Sequence, residues 1–303
     1  MIDPNEHYNT GLAVPDVDAV IEAFHADAAA FRKRHQAASL DVAYGPRPRN
    51  DLDVFWPSDA AARRGSDVPI VVFIHGGYWR RFDRKVFSHL AEGLVGKGVA
   101  VAMPSYTLAP EVGVGDIVAE MRTCLRFLHR TYGRRLTTIG HSAGGHLAAC
   151  MFATDWTTVD ATLPPDLVPS GFALSGIFDL EGLIGAEANE TLGLDRDSAR
   201  AASPLYELPP ALRRFDAWVG RREAPGFHEQ SRAIVRRWGM TGALCDFHIV
   251  PNANHFNVVD PLRNPRSRMV KHILHLVAHP EGERQDEPAD EREEEPESAT
   301  VEG

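Results

Sequence analysis

Among 303 residues, 44% are apolar, enough to bury a large core as one large or two small domains. The formal charge of −10 is concentrated in residues 281–303, where eleven acids meet two bases (Arg284 and Arg292), so the rest of the chain carries only −1. That near-neutral body carries no electrostatic footprint for nucleic acid, and no apolar run approaches the ~20 residues needed to span a bilayer. The 281–303 tail has no aromatic residue and predicts a disordered, solubilising extension, with an acidic interaction tail as the alternative. Met1–His7 lacks the basic and apolar regions of a signal peptide. Cys124, Cys150 and Cys245 are odd in number and widely scattered, which predicts buried thiols in a cytoplasmic protein.

In chain order, Val17, Val20, Ile21, Phe24 and Phe31 recur at helical spacing over residues 16–38. Two short strand patterns, Leu40–Tyr44 and Leu52–Trp56, flank a Pro/Gly turn, and Arg63–Asp67 reads as a surface loop. Pro69–Ile74 is an unbroken β-branched run, as expected of a strand covered on both faces. Helical patterns follow at 84–97, 115–131, 226–238 and 260–278. Strand patterns fall at Val99–Met103, Leu136–Ile139, Phe172–Leu174, Phe215–Val219 and Leu244–Val250. This alternation predicts an α/β fold over residues 1–280, with a mostly parallel central sheet and helices on both faces. Residues 179–212 interrupt the rhythm and are expected to form a small cap near the carboxyl ends of the strands, where ligands bind.

The chemistry begins at Gly140-His141-Ser142-Ala143-Gly144, between the Leu136–Ile139 strand and an Ala-rich helical pattern. Strand, sharp turn and helix form a nucleophile elbow, in which Ser142 is held in a strained conformation with its hydroxyl exposed. Gly140 and Gly144 let strand and helix close around it. The Ala143 amide then points from the helix N-terminus toward developing negative charge. His75-Gly76-Gly77-Tyr78-Trp79 follows the Pro69–Ile74 strand, and its glycines allow backbone amides to face a bound carbonyl oxygen. Gly76, Gly77 and Ala143 are therefore the expected oxyanion donors. His75 reads as a side chain that fixes the loop rather than as a base. A serine nucleophile needs a base and an acid that orients it. Glu223, in the loop after Phe215–Val219, is the expected acid, with Asp179 and Asp246 as fallbacks. Asp216 lies within the strand and should be held away. His255 sits in the loop after the last strand pattern and is the expected base, whereas His272, His275 and His279 follow helical spacing.

Further segments carry a family resemblance. His75–Trp79, Gly140–Gly144, Leu174–Leu180, Ala202–Leu205, Glu223–Ser231 and His255–Asn257 together resemble the kynurenine formamidase (arylformamidase) family, over about residues 8–277. That family is a branch of the α/β-hydrolase fold near the hormone-sensitive-lipase-like esterases. Its acid is commonly aspartate, and Glu223 occupies that place. The resemblance implies hydrolysis of N-formyl-L-kynurenine to kynurenine and formate, in tryptophan breakdown. It requires no cofactor and no metal. Tyr78, Trp79, Phe178 and Phe256 lie in the motif loops and are expected to contact the aromatic leaving group. The partner is thus a small aryl amide or ester, with no nucleic acid and no membrane, and a homodimer is compatible with the chain. A broad-specificity carboxylesterase, arylesterase or amidase is the second reading. A non-catalytic binding protein predicts loss of Ser142, Glu223 or His255, all of which are present, and no His/Cys/Asp cluster has metal-ligand spacing.

Overall fold

The protein is described here by a computed structural model covering residues 3–58 and 68–280. The 63–67 loop and the 281–303 tail lie outside the described residues. Eight strands form one sheet: β1 (Ala38–Ala43), β2 (Asp51–Phe55), β3 (Ile70–Ile74), β4 (Ala100–Pro104), β5 (Leu136–His141), β6 (Ser170–Leu174), β7 (Arg214–Gly220) and β8 (Phe247–Val250). Their order is β1-β2-β4-β3-β5-β6-β7-β8. β1 and β2 pair antiparallel, as do β2 and β4, and every pairing from β4 to β8 is parallel. Five longer helices accompany the sheet: α1 (Val17–Arg34), α2 (Val114–Tyr132), α3 (Ala143–Ala153), α4 (Pro225–Met240) and α5 (Arg268–Ala278).

The apolar run at β3 explains the layering. Ile70, Val72 and Ile74 face one core, shared with Leu125 of α2 and Leu147 of α3. Val71 and Phe73 face the other, shared with Phe24 and Phe31 of α1 and Ile273 of α5. Successive side chains of a strand point to opposite faces, so a strand covered twice has to be apolar throughout. The helices start where local chemistry directs. Asp16 caps α1 by accepting from the Ala19 amide at 2.9 Å, Pro225 opens α4 at the position where a missing N–H costs nothing, and Ser267 caps α5.

Four expectations change. The 260–278 pattern is two pieces, a 3-10 segment at Asn257–Arg263 and then α5. Asn264 precedes Pro265 and is extended (φ −101°, ψ 113°), because the proline ring disfavours a helical conformation in the residue before it. The 84–97 pattern is likewise 3-10 at Arg84–Ala91 before one α-helical turn at Glu92–Val95. Cys245 is half-buried and precedes β8, while Cys124 and Cys150 are fully buried. Residues 179–212 form only short pieces, at Leu180–Leu183, Asn189–Leu192, Arg196–Ala201 and Pro204–Tyr206. Leu180, Leu183, Leu192 and Ala199 tie these pieces into the core.

The tightest approach in the fold is at the turn between β5 and α3. A Cβ on Gly144 would stand 1.9 Å from the Ile74 carbonyl oxygen, and one on Gly140 would stand 2.1 Å from the Gly144 oxygen. Both obstacles are backbone and cannot swing aside. Gly144→Ala is therefore expected to lower stability by about 3 kcal/mol, the upper end for overpacking. Gly115→Ala in α2, where a Cβ meets nothing within 4 Å, should be neutral or slightly stabilising. Urea unfolding midpoints of both variants decide this, and an unshifted midpoint for Gly144→Ala would contradict the packing.

Candidate active site

Ser142 stands at the end of β5 with φ 56° and ψ −121°, a conformation that costs a non-glycine residue about 1–3 kcal/mol. Its amide donates to the Leu174 oxygen at 2.8 Å, and its own oxygen receives the His146 amide at 3.1 Å. These bonds fix the turn from both sides. Ala143 is the first residue of α3, where backbone N–H groups have no intrahelical partner. Gly76 lies across from it, so close that a Cβ would stand 3.0 Å from the Ser142 Cβ and 2.8 Å from the His141 oxygen. Gly77 has φ +118° and starts a turn in which Tyr78 and Trp79 also have positive φ, at 51° and 53°. Gly76, Gly77, Ser142 and His255 all line one cavity of about 170 Å³. That is comparable with the ~150 Å³ void that accommodates a benzene ring.

His255 follows β8, and its Nδ1 lies 2.6 Å from Glu223 Oε2. A carboxylate only accepts there, so Nδ1–H donates and the neutral ring keeps its lone pair on Nε2. The other carboxylate oxygen, Oε1, accepts from Ser175 Oγ and from the Gly220 amide, both at 2.6 Å. Glu223 is thus buried with both oxygens satisfied, which is the condition for keeping a charge out of water. A short turn after β7 brings it there, closed by the Glu223 amide on the Gly220 oxygen at 3.2 Å and the Arg222 amide on the Ala253 oxygen at 2.8 Å. The His255 ring is packed against Phe227, with centroids 4.4 Å apart. His141 holds the same loop: its Nε2 donates to the His255 oxygen at 2.8 Å. Burial, and secondarily the neighbouring His255, push the His141 imidazole well below its usual range, so it acts as a neutral donor.

The alternative acids are engaged elsewhere. Asp216 is fully buried on β7 and accepts from the Asp246 amide at 2.8 Å and from His272 at 2.9 Å. Asp246 pairs with Arg214, and Asp179 accepts from Tyr206 and caps the Leu180–Leu183 turn. His75 does fix its loop: Nδ1 bonds the Gly76 oxygen at 2.8 Å, and the ring stacks on Tyr106 at 4.4 Å.

The aromatic residues divide. Tyr78 and Phe256 line the cavity, and the Tyr78 hydroxyl donates to the Tyr8 oxygen at 2.7 Å. Trp79 and Phe178 do not line it. Both are 0% exposed in the core, Trp79 edge-on to His146 and Phe178 edge-on to Phe215. Because Tyr78 and Trp79 both have positive φ, the chain turns sharply between them, and one ring faces the cavity while the next goes inward. The cover over the site is also not the expected one. No residue of 179–212 lines the cavity; Thr10 and the Val17, Ile21 and Phe24 stripe of α1 do, with Arg80, Arg81, Phe82, Val86 and Phe87. The amphipathic pattern of α1 is visible in the sequence, but what its apolar face covers is not. Ser175 and His141 sit inside the Leu174–Leu180 and Gly140–Gly144 motifs, but nothing in their residue type marks them for the site.

Sheet order, strained serine turn and buried His–carboxylate pair at the carboxyl ends of the strands define an α/β-hydrolase. The BD-FAE family matches residues 52–184. Kynurenine formamidase of Danio rerio is 30% identical over 245 residues, covering 78% of this chain and 81% of its own. Kynurenine formamidase of Salmo salar is 32% identical over 247 residues, with the same coverage. A solved structure of a putative thioesterase from Silicibacter sp. tm1040 aligns with a TM-score of 0.79 at 33% identity, covering 90% of this chain and 100% of that one. The chain belongs to the kynurenine formamidase family and is a hydrolase acting on an ester or amide bond. Among the described residues, no helix is long and apolar enough to cross a membrane, and no group of His, Cys, Asp or Glu is placed to hold a metal ion.

Burial makes this site acid-sensitive. His75 and His146 are pushed down to about 4 by burial, and His141 lies well below its usual range for the same reason. Their folded values lie below the unfolded value near 6.5, so the unfolded chain binds protons first as pH drops. Stability from these groups is full above about pH 6.5 and is lost as pH falls toward 4. From pH 6.5 to 5 each histidine costs about 2 kcal/mol, so the melting temperature should fall by about 10 °C. A melting temperature that is flat or rising over that interval would contradict neutral buried imidazoles.

Proposed function

We propose that the protein is an arylformamidase that hydrolyses N-formyl-L-kynurenine to L-kynurenine and formate through Ser142, His255 and Glu223. The observation that carries this reading is the 2.6 Å contact of His255 with the buried Glu223, in one cavity with Ser142. In the first step His255 Nε2 takes the Ser142 proton as Oγ attacks the formyl carbon. Negative charge gathers on the former carbonyl oxygen, where the amides of Gly76, Gly77 and Ala143 receive it. The imidazolium then protonates the departing aniline nitrogen, and the formyl group stays on Ser142. Water, deprotonated by His255, attacks that ester and releases formate. Glu223 holds the Nδ1–H tautomer and stabilises the imidazolium, without itself taking the proton. Formyl is the smallest acyl group, which suits a cavity with room for little more than the ring. Tyr78, Phe256 and the α1 stripe supply apolar walls for that ring.

The second reading is a small-acyl esterase, favoured by the apolar cavity and by the name of the Silicibacter relative. The two readings separate on kcat/KM for N-formyl-L-kynurenine against p-nitrophenyl acetate. The formamidase reading expects the formamide to win, and a protein that turns over only the ester would overturn it. On whichever substrate is turned over, Glu223→Gln should cost about 10⁴ in turnover. Asp216→Asn and Asp179→Asn should cost less than about tenfold, because their carboxylates are committed elsewhere. A crippled Asp179→Asn protein that still folds would move the acid away from Glu223.

A further inference from the structure

The residues lining the cavity are mostly apolar or backbone, and they include two arginines but no carboxylate. Arg80 and Arg81 follow Trp79 in the turn that begins at Gly77. The turn is tightly specified: the Arg80 amide donates to the Gly77 oxygen at 3.1 Å, and the Ala109 amide to the Trp79 oxygen at 2.9 Å. Arg49 Nη2 donates to the Phe82 oxygen at 2.5 Å. Four positive-φ residues (Gly77, Tyr78, Trp79 and Phe82) lie within this stretch, and such strain persists where the surroundings enforce it. The turn sends the Trp79 ring into the core and leaves both arginine side chains at the cavity.

The two guanidinium groups differ. Arg81 is exposed and lies over the Phe82 ring at 5.8 Å. Arg80 is half-buried, and its Nη1 reaches Thr191 Oγ1 at 3.3 Å. Its Nε is buried and makes no hydrogen bond. No ion pair joins either arginine to an acid among the described residues, whereas the other buried arginines, Arg84 and Arg214, each pair with aspartates. A guanidinium anchored at Nη1 has an unpartnered Nε on its Nε–Nη2 edge, the edge that pairs with a carboxylate through two parallel N–H···O bonds.

We infer that Arg80, with Arg81 beside it at the cavity, is the specificity-determining residue that binds a carboxylate carried by the substrate's leaving group. The substrate class is thus an aryl formamide or ester whose leaving group bears a carboxylate, not one without it. This rests on the arylformamidase reading for which side of the scissile bond carries the charge: formyl has no room for it, so the aniline portion must. The Arg80 guanidinium also accounts for how the site reads the carboxylate end of such a molecule, since Arg80 and Arg81 are the two arginines lining the cavity.

The test compares charged and capped partners of one scaffold on the purified full-length protein. N-formyl-L-kynurenine is set against its α-carboxamide, and 4-acetoxybenzoate against phenyl acetate. Wild type should prefer the carboxylate member by about tenfold to a hundredfold in kcat/KM, the scale of a charge-assisted hydrogen bond, expressed in KM. In Arg80→Gln that preference should collapse toward one, and Arg80→Lys, which keeps the charge without the fork, should retain part of it. A wild-type ratio already near one in both pairs overturns the inference without any variant. So does a ratio that survives both Arg80→Gln and the Arg80→Gln/Arg81→Gln double. A uniform fall in both members of a pair marks a merely structural turn residue and also overturns it. If only the esters are hydrolysed, the formamidase reading fails, and the ester pair alone decides the role of Arg80.

Discussion

The Gly144 backbone lies so close to the end of β3 that a methyl group there would stand 1.9 Å from the Ile74 oxygen. Everything at the site follows from that approach. It brings α3 directly against β3 and β5, so the chain has only one residue, Ser142, in which to reverse direction. That residue takes φ 56° and is held by hydrogen bonds to Leu174 and from His146. The local cost is offset by α3, whose residues from Ala143 to Phe152 are all buried. The same approach sets Gly76 beside the serine, since the residue after Ile74 and His75 has nowhere else to go. A candidate nucleophile and its candidate amide donors are therefore consequences of one packing contact between backbones.

The rest of the machinery arrives by parallel strand order. Strands β3, β5, β6, β7 and β8 run in one direction, and each delivers a group at its carboxyl end: Gly76, Ser142, Ser175, Glu223 and His255. Glu223 illustrates how a carboxyl group is accommodated in a buried place. Two donors meet one oxygen and the imidazole meets the other, so each carboxylate oxygen has a hydrogen-bond partner. His141 links the serine turn to the histidine loop, because it precedes Ser142 in the chain and donates to the loop that carries His255.

Much of this was legible from residue order. Glycines flanking a serine between a strand and a helix have one economical geometry, and the residues after late strands of a parallel sheet must fall near it. Asp216 lies within a strand and is engaged with His272 and Asp246, away from the cavity. What the sequence hides is which surfaces meet. Val17, Ile21 and Phe24 announce an apolar helix face, but periodicity does not say that this face covers the cavity while 179–212 packs into the core. Tyr78 and Trp79 are neighbours of one chemical type, and only the turn through positive φ sends one to the cavity and the other to His146. Phe178 turns inward for a comparable reason, because its amide and that of Asp179 both donate to Gln230 Oε1 at 2.8 Å. Pro265 marks the break in the last helical pattern, yet the apolar periodicity runs across it.

Whether Ser142 is the nucleophile served by His255 is tested most directly by where a serine-directed phosphonate ends up. Intact-mass and peptide mapping of the full-length protein should find one adduct, on the peptide containing Ser142. The rate of labelling should fall by at least about a thousandfold in His255→Ala, the usual scale for losing a member of such a unit. An adduct on another residue, or no adduct in a protein that still hydrolyses its substrate, would contradict the account.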